Sequence, residues 1–167
     1  LDRYDDANVG GTEDGDEYVS EGGWYARALK LFETAIEYGW TDTGFVYTHA
    51  EDGAPIVSDQ YGWALAEAIG ASAVLAERAV AHGDADAAGR LRELNRRFLA
   101  CTDLYRGPAG LWYEKRLPAE DGDDLVAPNP PGVEPDYHPV SAFYECWRSA
   151  HVAQPADRHS TTTNKND

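Results

Sequence analysis

Residues 61–82 form a long, alanine-rich apolar stretch with Gly70, Ala71 and Ala73 near its middle. Alanine is the strongest helix former, so the run predicts one long helix, and side chains this small let neighbouring helices pack closely against it. A helix of this kind needs helical partners, and the rest of the chain supplies them. Residues 24–38 read as a helix with Ala28, Leu31 and Ala35 on one side and Leu29, Phe32 and Ile36 on the adjoining one, which predicts packing on more than one face. Residues 87–101 align Leu91, Leu94, Phe98 and Cys101, opposite a solvated face of Arg90, Arg92, Glu93, Arg96 and Arg97. A last helix is predicted over 140–147, where Val140, Phe143, Tyr144 and Trp147 recur at helical spacing.

Between these runs lie punctuation and short extended segments. Gly39 closes the first helix, 43–48 and 51–57 have the β-branched and aromatic content of two strands around a glycine turn, and Asp59 is the expected N-cap of the long helix. Gly83-Asp84 marks a tight break, and 110–117 reads as a second extended unit, or hairpin, leading into a polar, turn-rich loop. The order helix, hairpin, helix, helix, hairpin, helix indicates a mainly α toroid of helical hairpins and not a parallel α/β sheet. Residues 1–23 are acidic and glycine-rich, a loop or disordered segment; 24–150 form the folded domain; 151–167 are expected to be a disordered tail.

Composition narrows the function. One domain suits 167 residues, and 43% hydrophobic content with five Trp and ten Tyr suffices for a core. A net charge of −16 argues against a nucleic-acid partner, which needs clustered Lys and Arg, and favours a neutral small molecule. No apolar run is long enough for a membrane span and the first residues lack signal-peptide character, so a cytoplasmic location is expected. Cys101 and Cys146 are far apart with no second ligand at metal spacing, which predicts buried free thiols and neither a disulfide nor a metal site. A chain that begins with Leu1 and contains no methionine is expected to be a piece of something longer, or a processed product. The oligomeric state is left open.

The chemistry is sought at Pro135-Asp136-Tyr137-His138-Pro139, where the long loop hands over to the last helix. An imidazole titrates near neutral pH, so His138 can accept and return a proton, with Asp136 or another carboxylate fixing its tautomer. The alternative is a histidine that only hydrogen-bonds the loop.

A set of segments in fixed order carries a resemblance: Trp24-Tyr25-Ala26-Arg27-Ala28-Leu29-Lys30-Leu31-Phe32, Gly39-Trp40, Gly44-Phe45-Val46-Tyr47-Thr48, Trp63-Ala64-Leu65-Ala66-Glu67-Ala68, Gly110-Leu111-Trp112-Tyr113 and Asp136-Tyr137-His138. Over residues 24–148 the chain resembles the C-terminal part of the N-acylglucosamine 2-epimerase superfamily, which includes cellobiose and mannose 2-epimerases and mannose and sulfoquinovose isomerases. The resemblance implies an (α/α)6 barrel whose cleft opens a sugar ring and moves a proton through an enediolate, with two histidines as acid and base and no metal or organic cofactor. His138 matches the late histidine of that pair. Trp63 and Glu67 match a Trp-x-x-x-Glu helix lining the cleft, Trp112 matches an aromatic of the preceding hairpin, and Asp136 joins them as a substrate contact. Flat indoles suit the CH faces of a sugar and a carboxylate suits its hydroxyls, although each tryptophan could equally be core.

The chain departs from the family pattern at Gln60, where many relatives carry a basic residue, at Tyr61 and Gly62, where aromatics or histidine are common, and at Leu65, where the epimerase branch often has Gln. These changes bear on substrate contacts. The early histidine of the family lies in a Gly-His-x-x-Glu helix upstream of the segment matched by 24–38, and 1–23 contains no histidine; His49 and His82, in a turn and at a helix end, do not replace it. The expected outcome is a partial barrel with an exposed apolar edge, inactive alone. Two other classes stay open: a glycoside hydrolase or lyase on a related toroid, pairing Glu67 with Glu114 or Asp136, and a non-catalytic sugar-binding remnant. The segment 44–48 and the Asp-Tyr-His-Pro ending place isomerase ahead of epimerase.

Overall fold

The computed structural model describes residues 23–119, 125–128, 132–134 and 136–152. Helix α1 (Gly23–Gly39) leads into strands β1 (Val46–His49) and β2 (Pro55–Tyr61), which run directly into α2 (Gly62–Ala81) and α3 (Ala85–Ala100). After two short 3₁₀ turns come β3 (Trp112–Tyr113), β4 (Lys115–Pro118), β5 (Leu125–Val126), β6 (Val133–Glu134) and α4 (Tyr137–Val152). The described structure is mainly helical with small antiparallel sheets. The readings of 1–22 and 153–167 as loop and tail lie outside the described residues.

Helix α2 is the centre, as its composition predicts. It packs against α3 on one flank and α4 on the other, burying Leu65, Ile69, Ser72, Leu75 and Ala79. The small residues act where expected: a Cβ on Gly70 would sit 3.5 Å from the Ala142 Cα, so α2 and α4 approach almost backbone to backbone. At the other flank Phe98 of α3 anchors a ring cluster with Trp40 (4.8 Å between centroids), Phe45 (5.7 Å) and Phe32 (6.5 Å). This cluster ties α1 and the first strands to the helical layer, and removing a buried Phe of this kind costs about 3–5 kcal/mol. Asp84 caps α3 by accepting the Ala87 N–H at 2.9 Å, relieving one of its orphan donors.

Helix α1 packs through Leu29, Phe32 and Ile36, whereas Ala28, Leu31 and Ala35 face outward, so only one of the two expected faces is covered among the described residues. The outer face of α4 is likewise open: Tyr137, Val140, Tyr144 and Trp147 are all more than half exposed. Its two charges turn inward instead, Arg148 bridging Glu145 (2.8 Å) and Glu77 (2.9 Å).

Several boundaries depart from expectation for identifiable reasons. Asp59 is not an N-cap; it lies in β2 with its carboxylate bound to Lys115 Nζ at 2.8 Å, and α2 starts at Gly62, whose N–H donates to the Glu114 carbonyl at 2.9 Å. The first helical donor is thus met by a neighbouring segment and not by a side-chain cap. The segment 110–117 is not a hairpin: β4 joins the sheet in the order β1-β2-β4-β5, while β3 pairs with β6. Stretches of the loop before α4 therefore carry strand pairing. Helix α4 begins three residues early because Asp136 Oδ1 accepts the His138 N–H at 3.0 Å, and Pro139 is tolerated in a first turn that needs no donor from it. It also runs to Val152, two residues into the predicted tail. Cys101 and Cys146 are both free; Cys101 is buried and Cys146 only half-buried, hydrogen-bonded by Asn95. Burial pushes both thiols above their ordinary range, which suits inert packing groups.

Candidate active site

The end of β2, the first turns of α2, the β3–β4 junction and the head of α4 converge on one cleft of about 250 Å³. Such a volume falls just below the usual range of ligand pockets, about 300–1,000 Å³. Strand alternation sets its first wall: Gln60 points into the core at 2% exposure, so the next residue, Tyr61, faces the cleft. Helical spacing sets the second: Trp63 lines the cleft, and Glu67, four residues on along the same face of α2, lies beside it, so that both meet His138.

His138 is the meeting point. The Glu67 carboxylate accepts from its Nδ1 at 2.5 Å, the Trp63 ring lies 6.0 Å away centroid to centroid, and Tyr137 stacks on the imidazole at 4.0 Å. Because an ionised carboxylate can only accept, Nδ1 carries the proton and Nε2 is left as the basic nitrogen. Nε2 makes no hydrogen bond among the described residues; its nearest charged atom is Asp136 Oδ1, at 3.9 Å. Asp136 therefore holds the His138 backbone and faces Nε2, while Glu67 sets the tautomer, a division of labour that sequence left open.

Trp112 lines the cleft but also stacks on Tyr105 (5.9 Å) and meets Phe143 edge-on (6.1 Å), so it is wall and core at once. Tyr113 and Glu114 complete the lining. Gly62 is required by this construction, since a Cβ there would lie 2.7 Å from the Tyr113 carbonyl oxygen. Two of the departures expected to alter substrate contacts do not reach the cleft. Leu65 is wholly buried in the helical core. Gln60 forms a closed network, accepting from Thr43 (3.1 Å) and Tyr105 (3.3 Å) and donating to Thr41. Burial pushes the Tyr105 phenol well above its ordinary range, which keeps it a donor in that network. The wall role of Tyr61 was the signal to find, and it is legible only once the strand register is known.

The other described histidines lie elsewhere. His49 ends β1, not a turn, and stacks on Tyr38 at 5.5 Å; His82 caps the end of α2 and stacks on Tyr25 at 4.5 Å; His151 bonds the Trp147 carbonyl. Among the described residues no group of three His, Cys, Asp or Glu side chains is placed to hold a metal ion, and no helix is long and apolar enough to cross a membrane.

The sequence model of the N-acylglucosamine 2-epimerase (GlcNAc 2-epimerase) family matches residues 17–142. The chain belongs to this family. A D-mannose isomerase of Thermobifida fusca is 43% identical over 56 residues, which are 32% of this chain and 14% of that protein. A crystal structure of a D-mannose isomerase superposes with a TM-score of 0.57 at 24% identity, over 75% of this chain and 31% of that one, a likeness of fold. In both comparisons the match covers under a third of the relative. The family is one of sugar epimerases and isomerases.

Proposed function

We propose that the protein of which these residues form the site interconverts a neutral aldose with its 2-ketose or 2-epimer, His138 acting as the base at C2. The observation that carries this reading is the His138 ring, gripped at Nδ1 by Glu67 with Nε2 left unbonded in a cleft beside an exposed indole. A proton next to a carbonyl needs a base poised near neutral pH, and an imidazole of fixed tautomer provides one. Once Nε2 takes the C2 proton of the open-chain sugar, the imidazolium faces Asp136 on one side and Glu67 on the other, which stabilises its charge. Electrons from the C2–H bond move into an enediolate. Return of a proton to C1, with the O2 hydroxyl proton passing to O1, gives the ketose, and return to the other face of C2 gives the epimer.

The described lining contains no Lys or Arg, which suits a neutral sugar better than a phosphorylated one. Trp63, at 42% exposure, offers a flat face to the CH groups of the ring, and Trp112 a second. We place the reaction on a complete (α/α)6 barrel, with 24–150 supplying part of it. The open faces of α1 and α4 support this, since both are apolar and suited to further helices. A second acid/base group is then supplied from outside the described residues, and isomerisation is placed ahead of epimerisation because both named relatives are D-mannose isomerases. No cofactor takes part in this scheme, and a cytoplasmic setting suits it.

Hydrolysis by paired carboxylates fits less well, because Glu67 is committed to His138 and Asp136 to the α4 backbone. Incubating the intact protein with C2-deuterated mannose, C2-deuterated glucose and C1-deuterated fructose tests the proposal. Loss of deuterium to water without cleavage of the sugar is expected from at least one. A sugar that binds without exchange would identify a non-catalytic binding cleft, and failure of all three to exchange would overturn the reading.

A further inference from the structure

Among the described residues three carboxylates lie in or beside the cleft, and two are spoken for: Glu67 by the imidazole and Asp136 by the His138 N–H. The third, Glu114, lines the same cleft with an exposed side chain that has no hydrogen-bond or ionic partner among the described residues. Its position is nevertheless fixed. Glu114 is the single residue at which the chain leaves the β3–β6 pair for the β1-β2-β4-β5 sheet. Both of its backbone groups are pinned there by different segments, its N–H donating to the Gly132 carbonyl at 3.0 Å and its carbonyl accepting the Gly62 N–H at 2.9 Å. The carboxylate lies along Gly132, where an added Cβ would touch Oε2 at 3.5 Å.

The nearest cation in sequence does not neutralise it, because Lys115 is bound to Asp59 and packs over the Tyr61 ring at 5.4 Å. A carboxylate held by its backbone, open to a cleft and left with its acceptor capacity unused is a ready receiver for hydroxyl donors. We propose that Glu114 is a substrate-binding residue that accepts a hydrogen bond from one sugar hydroxyl and so selects the configuration of the sugar. The inference rests on the reading of the cleft as a sugar site. It assigns Glu114 to recognition, distinct from the proton transfer assigned to His138.

The test measures affinity and needs no turnover. Mannose, glucose and fructose are titrated into the intact protein by calorimetry, and the tightest of them is repeated as its set of mono-deoxy analogues, on wild type, Glu114→Gln and Glu114→Ala. Since the side chain supports nothing else, all three forms should melt together. The parent sugar should bind about ten- to a hundredfold more weakly to Glu114→Ala, the worth of a charge-assisted hydrogen bond, and Glu114→Gln should fall between. One deoxy analogue should bind wild type and both variants equally, identifying the hydroxyl. Unchanged affinity for the parent sugar, or a loss that persists with every analogue, would overturn the role of Glu114 while leaving the sugar site intact. Absence of binding by all three sugars to wild type would overturn both, and the full pattern without C2 exchange would retain Glu114 and sink only the isomerase chemistry.

Discussion

Gln60→Leu is the sharpest test of how the cleft wall is built, because leucine has comparable bulk without the amide and Gln60 stands where relatives were expected to contact substrate. Leucine keeps the volume but removes every polar contact. The Tyr105 hydroxyl, on a residue with no exposure, then loses its acceptor, and an orphaned buried donor costs about 1–3 kcal/mol. Thr41 and Thr43 lose bonds nearer the surface, where water can replace part of each, adding about 0.5–1.5 kcal/mol apiece. The expected total is about 3 kcal/mol, which for a domain of this size lowers the melting temperature by about 6–12 °C. Adding Tyr105→Phe removes the orphaned hydroxyl and should return about 1–2 kcal/mol, an interaction that a double-mutant cycle in urea reads directly. Sugar affinity of the folded variant should be unchanged. A shift below about 1 kcal/mol with no recovery in the double variant, or a loss of sugar binding at full stability, would refute the network and return Gln60 to the substrate.

Other consequences are simpler to check. Gly62→Ala drives a Cβ into the Tyr113 carbonyl and should cost about 1–3 kcal/mol in urea melts while loosening the Glu114 segment, seen as faster amide exchange of Gly62. Asp136→Ala removes the cap of α4 and should cost about 1 kcal/mol, with Asp136→Asn restoring most of the stability but not the charge beside Nε2. The hydrogen bond that Lys115 donates to Asp59 raises its ammonium above the ordinary 10.5, so the pair contributes stability fully below that value and loses it as pH climbs through the raised one. Asp59→Asn should accordingly lower the urea midpoint at about pH 8 and converge with wild type in strong alkali.

The helices were legible because their signals are local. The alanine-rich run, Gly83-Asp84 and the Leu91/Phe98 stripe each declare themselves within a few residues, and α2, α3 and their junction follow. Residues with two local readings were harder. Asp59 has the chemistry of an N-cap, but a lysine 56 positions away claims it, and no window along the chain contains both. Likewise β3 and β4 look like one extended run and separate only because Gly62 lets Tyr113 and Glu114 come close enough for the chain to change sheets. Of the site, His138, Trp63, Glu67, Trp112 and Asp136 could be named, and the structure gathers all five at one cleft or its edge. What each holds could not be read: that Glu67 takes Nδ1, that Asp136 takes a backbone N–H, and that Gln60 turns inward while Tyr61 turns out depend on long-range pairing and strand register. The open face of α1 is the opposite case, where the pattern announced a partner that the described residues do not supply.

The central claim is that His138 moves a proton at C2, and His138→Asn tests it most directly. Asparagine preserves a polar group opposite Glu67 but cannot act as a base near neutral pH. In the intact protein the variant should melt close to wild type and bind sugar, while exchange of C2 deuterium falls by about two to four orders of magnitude, the usual contribution of a general base. Near-normal exchange in the folded variant, with only the loss of about 0.5–1.5 kcal/mol that a structural hydrogen bond is worth, would contradict the account and remove His138 from the chemistry.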